Sequence, residues 1–135
     1  MIRVVLDTNV LVSALLKTKG NEAALMNLAT ERHIQLCVSE PIIAEYEDVL
    51  SRPKLRLDPI RIQHVLALVR REGVLVTPTN AVGESRDEPD NRFLECAETA
   101  EAAYLVTGNA RHFPQTHKKT KIVTGSRFLD ILAES

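Results

Sequence analysis

The 135-residue sequence has few aromatic side chains and no long apolar run. Tryptophan is absent, and two tyrosines and three phenylalanines leave no evident platform on which a row of nucleobases would stack. No segment approaches the roughly 18 apolar residues that a membrane-spanning helix needs, and the first residues lack the long apolar stretch of a secretory signal. We therefore expect no membrane association and a cytoplasmic location.

Cysteine is scarce, and histidine does not occur in metal-binding patterns. Cys37 and Cys96 lie among apolar neighbours, in IQLCVS and FLECAE, without the paired spacing of a zinc site or a redox dithiol. We interpret them as reduced thiols of a protein core. The histidines are widely spaced, which disfavours a zinc site and catalysis by a histidine pair. They are His33, His64, His112 and His117.

Positive and negative charges nearly balance, and this excludes a surface that attracts polyanions everywhere. The formal net charge is −1, although a local basic stripe is still allowed. Apolar residues make up 44% and charged residues 26% of the chain, and no low-complexity segment, linker or internal repeat interrupts it. We predict a single domain over residues 1–135 with a proper hydrophobic core.

Short apolar strands alternate with helical patterns along the chain. The predicted strands are IRVVL, IQLCVS, VLVTP, AYLVTG and KIVTG. The predicted helices are the stretch that follows Asp7, NEAALMNLATER, EPIIAEYEDVLSR, DPIRIQHVLALVRREG, DNRFLECAETAEA and SRFLDILAES, with Ser39, Asp58 and Ser126 as caps. This alternation implies parallel strands joined by crossovers, so we predict a three-layer α/β/α sandwich with a central, mainly parallel sheet.

Polar residues occur where several predicted strands end. Asp7 directly follows the first strand, Glu45 lies in the first two turns of the helix after LCVS, and Asn109 follows YLVTG. Asp87 and Asp90 lie at the entrance to the helix that leads into that last strand. Because the functional crevice of an open parallel sheet lies beyond the carboxyl ends of its strands, we expect these side chains to gather at one edge.

Gathered carboxylates repel one another unless a cation lies between them, so the pattern predicts a divalent metal. Oxygen ligands without histidine or cysteine suit Mg²⁺ or Mn²⁺ rather than zinc, and Mg²⁺ commonly binds substrate phosphates as well. Such a metal activates water for attack on a phosphodiester. Each acid alone has a structural alternative: Asp7, Asp87 and Asp90 are suitable helix caps, and Glu45 suits an exposed helix surface.

The same residues carry a family resemblance. The chain resembles PIN-domain ribonucleases of the type that act as VapC-like toxins in toxin–antitoxin pairs, and the resemblance spans essentially the whole sequence. The matching segments are VVLDTNVLVSALL, SEPIIAEYEDVLSRP, DEPDNRFLECAETAEAAYLVTGNARHF and IVTGSRFLDIL. The first and third of these are the specific ones.

The resemblance implies which residues would form the active site. Asp7, Glu45 and Asp90 correspond to the catalytic, metal-binding acids, with Asn9 as a companion and Asp87 as an auxiliary acid. Many PIN domains have an aspartate after the VTG strand, where this chain has Asn109. An amide accepts hydrogen bonds but contributes no negative charge, which favours one tightly held Mg²⁺ or Mn²⁺ over two.

Two segments supply candidate contacts for a phosphate backbone. SRPKLRLDPIR brings together Arg52, Lys54, Arg56 and Arg61, and THKKTK adds Lys118, Lys119 and Lys121. Arg111 and His112, in GNARHF, are further candidates. The alternative for each is an ordinary solvated surface. We take Arg52, Lys54, Arg56 and Arg111 as the RNA-binding set.

The sequence therefore predicts a metal-dependent endoribonuclease. By resemblance its partners would be an RNA substrate, a small antitoxin protein that covers the acidic cleft, and a second copy in a homodimer. One alternative is a PIN-fold nucleic-acid-binding module without catalysis, which Asn109 motivates. Another is a different phosphate enzyme on a similar scaffold, such as a phosphatase, but LDTNV lacks the second aspartate of a DxDxT motif.

Overall fold

A computed structural model describes residues 1–83 and 88–134. Its strands are β1 (Ile2–Leu6), β2 (Ile34–Val38), β3 (Val74–Leu75), β4 (Tyr104–Val106), β5 (Thr116–His117) and β6 (Thr120–Val123). Its α-helices are α1 (Thr8–Leu16), α2 (Asn21–Thr30), α3 (Glu40–Leu50), α4 (Pro59–Glu72), α5 (Glu88–Ala100) and α6 (Gly125–Glu134). Two 3-10 turns lie at Pro53–Leu55 and Ala110–His112.

The strands form one sheet in the order β3-β2-β1-β4-β6-β5. Every pair is parallel except β5 with β6. From β1 the chain adds β2 and β3 on one side of the sheet, and it then crosses back to place β4 on the other side of β1. The carboxyl ends of β1 and β4 are therefore the point where strand order reverses, at which α/β proteins open a ligand crevice.

The central strands are fully buried, as expected of parallel strands covered by helices. Val4 and Val5 of β1 and Leu105 and Val106 of β4 have no exposed surface. Helix α5 packs against β1, β2 and β4, while α2 packs against β2 and α6. The predicted α/β fold, with a mainly parallel central sheet and flanking helices, is confirmed.

Polar side chains cap the helices at three of the sites considered in the sequence. The Asp7 carboxylate accepts a hydrogen bond from the Thr8 amide, Ser39 accepts one from the Ile42 amide, and Asp58 accepts one from the Ile60 amide. The prediction for Ser126 was wrong. Helix α6 begins one residue earlier, at Gly125, and the Thr124 hydroxyl accepts a hydrogen bond from the Arg127 amide at 3.2 Å.

Short elements were the least predictable. The VLVTP strand reduces to Val74–Leu75, and β5 was not predicted because its two residues, TH, carry no apolar alternation. Among the helices of residues 1–83 and 88–134, none is both long and apolar enough to cross a bilayer.

Candidate active site

Asp7 directly follows β1 and lies at the point where the strand order reverses. Its amide donates a hydrogen bond to the Val106 carbonyl at the end of β4, 2.9 Å away. One carboxylate oxygen, Oδ1, accepts from the Thr8 amide at 2.7 Å, and Oδ2 accepts from the Thr107 hydroxyl at 2.6 Å. The residue is 6% exposed. Because each carboxylate oxygen has a second lone pair, this capping role leaves coordination sites for a ligand.

Side-chain hydrogen bonds join the loop after β4 to the turn after β1. The Thr107 hydroxyl that donates to Asp7 also accepts from the Asn109 amide at 3.0 Å. The Asn9 side-chain oxygen accepts from the Gly108 amide, also at 3.0 Å. Sequence reasoning missed Thr107; the available signal was a hydroxyl at the end of a strand that pairs with β1. These bonds fix Asn109 beside the Asp7 turn.

A cleft of about 370 Å³ opens at this edge of the sheet, and we call it the acidic cleft. Oxygen-bearing side chains line one part of it: Asp7, Thr8, Asn9, Asp90 and Asn109. Asp90 reaches it from the first turn of α5. Two of the three predicted acids and both predicted amides therefore share one cleft.

The remainder of the acidic cleft is basic and apolar. Arg52, Lys54 and His112 supply the basic side chains, and Val12, Val49 and Leu55 supply the apolar surface. Arg52 pairs with Asp48 at 3.0 Å on the exposed face of α3, a kind of ion pair that adds little stability. Cations thus stand beside carboxylates, an arrangement that suits a ligand carrying negative charge.

The other predicted cations lie elsewhere. Arg56 lines a neighbouring cleft, and Arg111 is exposed on the 3-10 turn Ala110–His112 without lining the acidic cleft. Arg61 donates a hydrogen bond to the Leu15 carbonyl at 2.9 Å. In the THKKTK segment, Lys118 lies beside Glu98 of α5, and Lys119 lies beside Glu101, the residue after that helix.

Glu45 is half-buried on α3 and does not line the acidic cleft of the described residues, although Val49, one helical turn later, does. In residues 1–83 and 88–134, no three His, Cys, Asp or Glu side chains form a group able to hold a metal. The predicted auxiliary acid Asp87 lies outside the described residues. The structure therefore brings Asp7 and Asp90 to one cleft and leaves Glu45 near it.

Tyr46, the residue after Glu45, ties α3 to the end of β1. Its hydroxyl donates a hydrogen bond to the Leu6 carbonyl, immediately before Asp7. Burial raises the pKa of Tyr46 well above 10.0, and the nearby Cys96 thiol and Asp7 carboxylate raise it further. The phenol is therefore a neutral donor at physiological pH.

The donor set of the acidic cleft fits a hard divalent cation. Two carboxylates and two amides offer oxygen atoms, and Mg²⁺ is usually held by one or two carboxylates together with waters and substrate phosphates. Thr8 supplies a second observation: its hydroxyl is buried and has no hydrogen-bond partner among the described residues. An unsatisfied buried hydroxyl is costly, and a bound ligand would satisfy it.

Comparisons with known proteins agree with this fold. The chain is 32% identical over 111 residues to an uncharacterized protein, MJ1680, of Methanocaldococcus jannaschii, over 80% of this chain and 71% of that protein. In structure it is similar to a chain of VapBC2 from Rickettsia felis, solved bound to a DNA fragment from their promoter. The TM-score is 0.55 at 17% identity, over 90% of this chain and 98% of that chain. The family model for the PIN domain matches residues 3–111, and the chain belongs to the PIN domain family.

Proposed function

We propose that residues 1–135 form a single PIN domain that acts as a cytoplasmic, Mg²⁺- or Mn²⁺-dependent endoribonuclease, hydrolysing RNA phosphodiester bonds. The observation that carries this proposal is the shared cleft: Asp7 and Asp90 line it together with Arg52 and Lys54. Carboxylates and cations in one cleft are what a metal and a phosphate backbone require together.

The catalytic, metal-holding residues in this proposal are Asp7, Asp90 and Glu45. A bound Mg²⁺ or Mn²⁺ would neutralise phosphate charge and activate water. Glu45 is included for two reasons. It lies one helical turn before Val49, which lines the acidic cleft, and it directly precedes Tyr46, whose hydroxyl donates a hydrogen bond to the Leu6 carbonyl beside Asp7. Asn9 and Asn109 are auxiliary. The Asn9 side-chain oxygen accepts a hydrogen bond from the Gly108 amide in the loop after β4, and Asn109 adds an uncharged oxygen to the cleft. Asp87 is proposed as a further auxiliary acid from the resemblance alone.

Arg52, Lys54, Arg56 and Arg111 are the proposed RNA-binding residues. Lys54 makes no ion pair with any described residue, and the ion pair of Arg52 with Asp48 is exposed, so both side chains can turn toward phosphates at little cost. Arg52 and Lys54 stand in the acidic cleft itself, so they would position the backbone next to the metal. This arrangement predicts RNA binding that weakens steeply with salt.

The proposed biological setting is a toxin–antitoxin pair. Its support is the PIN family, together with the structural similarity to a chain of the VapBC2 structure. A small antitoxin protein and a second copy of this chain are the proposed protein partners. A purified chain should then form a stable complex with its antitoxin and lose ribonuclease activity in that complex.

A second candidate is a nucleic-acid-binding PIN domain without catalysis. Two observations favour it: Asn109 replaces an acid, and the described residues contain no three-acid metal group. Such a protein would bind RNA through Arg52 and Lys54 without cutting it.

Cleavage of a mixed RNA pool separates the two candidates. Purified chain is incubated with Mn²⁺, with Mg²⁺ and with EDTA, beside Asp7→Asn and Asp90→Asn. The enzyme proposal expects cutting that requires metal and is lost in both variants. Equal traces of cutting in all three proteins would indicate contamination and support the binding module.

A further inference from the structure

A second cleft of about 370 Å³ adjoins the acidic cleft, and we call it the side cleft. Arg52 lines both clefts, and the 3-10 turn Pro53–Leu55 forms the ridge between them. The surface of the side cleft is mainly apolar, with one further cation and one amide. The residues that matter here are Pro53, Arg56, Leu57, Pro59, Ile62 and Gln63.

Arg56 lines this cleft and has a backbone conformation that is unfavourable for arginine. Its φ is 51° and its ψ is 38°. These values fall in the left-handed region, which glycine and asparagine adopt more readily than arginine. The side chain is exposed and makes no ion pair with any described residue. The exposed guanidinium group can therefore contact a ligand that enters the side cleft.

We propose that the side cleft holds a base of single-stranded RNA, that Arg56 and Arg52 hold the adjacent phosphate, and that the neighbouring nucleotide enters the acidic cleft. This inference rests on the proposed ribonuclease function and specifies how its substrate is bound. An apolar wall beside a cation matches a nucleotide, which has an apolar base face beside a phosphate.

The substrate class follows from the shape and the polar groups of the cleft. A base in a duplex is stacked and paired and cannot enter a side cleft, whereas an unpaired base can turn out of the strand. Gln63 places an amide with two donors and one acceptor at the cleft, where a base edge would lie. The expected ligand is therefore a single-stranded segment or loop rather than an RNA helix.

The chain contains a matched control for Arg56. Arg32 also has a positive φ, 61°, and is exposed, but it precedes β2 and so lies at the opposite edge of the sheet from Asp7. Arg56→Asn and Arg32→Asn each remove one positive charge, and each places a residue that tolerates this backbone conformation. The two substitutions thus differ in location and in the loss of the Arg32 ion pair with Glu72.

The first measurement is fluorescence anisotropy of a short labelled single-stranded oligoribonucleotide with the full chain in EDTA, where no metal-dependent cutting occurs. Arg56→Asn should raise Kd several-fold at low salt. It should also make the plot of log K against log salt shallower by about 0.7, the value for one phosphate contact on a single strand. Its melting temperature should equal or exceed that of the wild type, and Arg32→Asn should leave Kd unchanged.

The second measurement separates the base from the phosphate. Ile62→Ala shortens the apolar wall and keeps a good helix former. It should weaken binding of the base-containing oligomer several-fold and leave binding of an abasic oligomer of the same length unchanged. Arg56→Asn should weaken binding of both. Retained binding of the abasic oligomer also shows that Ile62→Ala is folded.

Two results would overturn the side-cleft proposal. One is equal Kd for Arg56→Asn and Arg32→Asn, and the other is equal weakening of both oligomers by Ile62→Ala. If the wild type still cuts RNA with Mn²⁺ and Asp7→Asn does not, the ribonuclease function survives that failure. If the wild type neither binds nor cuts RNA, both proposals are wrong.

Discussion

The Tyr46 hydroxyl of α3 is hydrogen-bonded to the Leu6 carbonyl, the last residue of β1 before Asp7. Tyr46 is 1% exposed, and its ring lies 6.3 Å from that of Phe93 on α5, centroid to centroid. Strand β1 and helices α3 and α5 thus meet at the Tyr46 side chain, whose bond to Leu6 lies one residue before Asp7. This contact fixes α3, the helix that carries Glu45, against the end of β1.

Tyr46→Phe should lower the free energy of unfolding by about 1–3 kcal/mol, because it removes a buried hydrogen bond and leaves a buried carbonyl without its donor. Urea denaturation measures this. Tyr104→Phe is the matched control, since the Tyr104 hydroxyl has no hydrogen bond to any described residue and its ring contact with Phe128 remains. Equal stability of the two variants would show that the Tyr46 bond contributes nothing.

The Thr107 hydroxyl should be required for activity as well as stability. Thr107→Val keeps the shape of the side chain but removes the donor to Asp7 and the acceptor for the Asn109 amide. We expect a loss of about 1–3 kcal/mol in the free energy of unfolding and weaker metal-dependent cleavage, because the Asp7 carboxylate is no longer fixed. Thr107→Ser, which keeps the hydroxyl, should restore both. Wild-type cleavage by Thr107→Val would show that Asp7 needs no such support.

Stability should fall in alkaline solution through the buried Cys96 thiol. Burial raises its pKa from 9.0 to about 12, and the nearby Cys37 adds to the shift. Above about pH 9 the thiol of the unfolded chain loses its proton while the folded chain keeps it, so the free energy of unfolding decreases as pH rises, by at most about 1.4 kcal/mol per pH unit. This contribution is fully present below the unfolded pKa. Burial raises the pKa of Cys37 as well, in the same direction.

Cys96→Ala tests that assignment. The variant should be less stable at neutral pH because of the cavity that it leaves, but its stability should fall less steeply between about pH 8 and pH 10.5. Urea denaturation at several pH values gives both slopes. Identical slopes in the variant and the wild type would assign the alkaline loss to other groups.

The parts of the site that follow from local sequence were predictable. A short strand that ends in Asp7 and a helix that begins after it fix the position of that carboxylate, and strand alternation predicts the parallel sheet. Asp90 and Asn109 then reach the same edge because β4 pairs with β1. Of these positions, that of Asp7 follows from local sequence alone, whereas those of Asp90 and Asn109 also require the order of the strands.

The remainder depends on tertiary contacts that no local pattern encodes. The role of Thr107 arises only when β4 lies beside β1, and the bond from Tyr46 to Leu6 spans 40 residues. The cations show the same limit: in one short segment, Lys54 enters the acidic cleft while Arg61 binds the Leu15 carbonyl. Cap residues two positions apart, such as Thr124 and Ser126, are also poorly distinguished by sequence alone.

Asn109→Asp should strengthen metal binding. The substitution adds a carboxylate to a cleft that Asp7 and Asp90 already line, so mutual repulsion should lower the stability of the metal-free chain, while Mn²⁺ should bind more tightly. If binding tightens tenfold, saturating Mn²⁺ should stabilise the variant by about 1.4 kcal/mol more than the wild type. Titration calorimetry and melting curves with and without Mn²⁺ measure the two effects.

Asn27→Asp, an exposed position on α2, controls for added charge. If Asn109→Asp binds Mn²⁺ no better than Asn27→Asp does, the side chain at position 109 takes no part in metal binding.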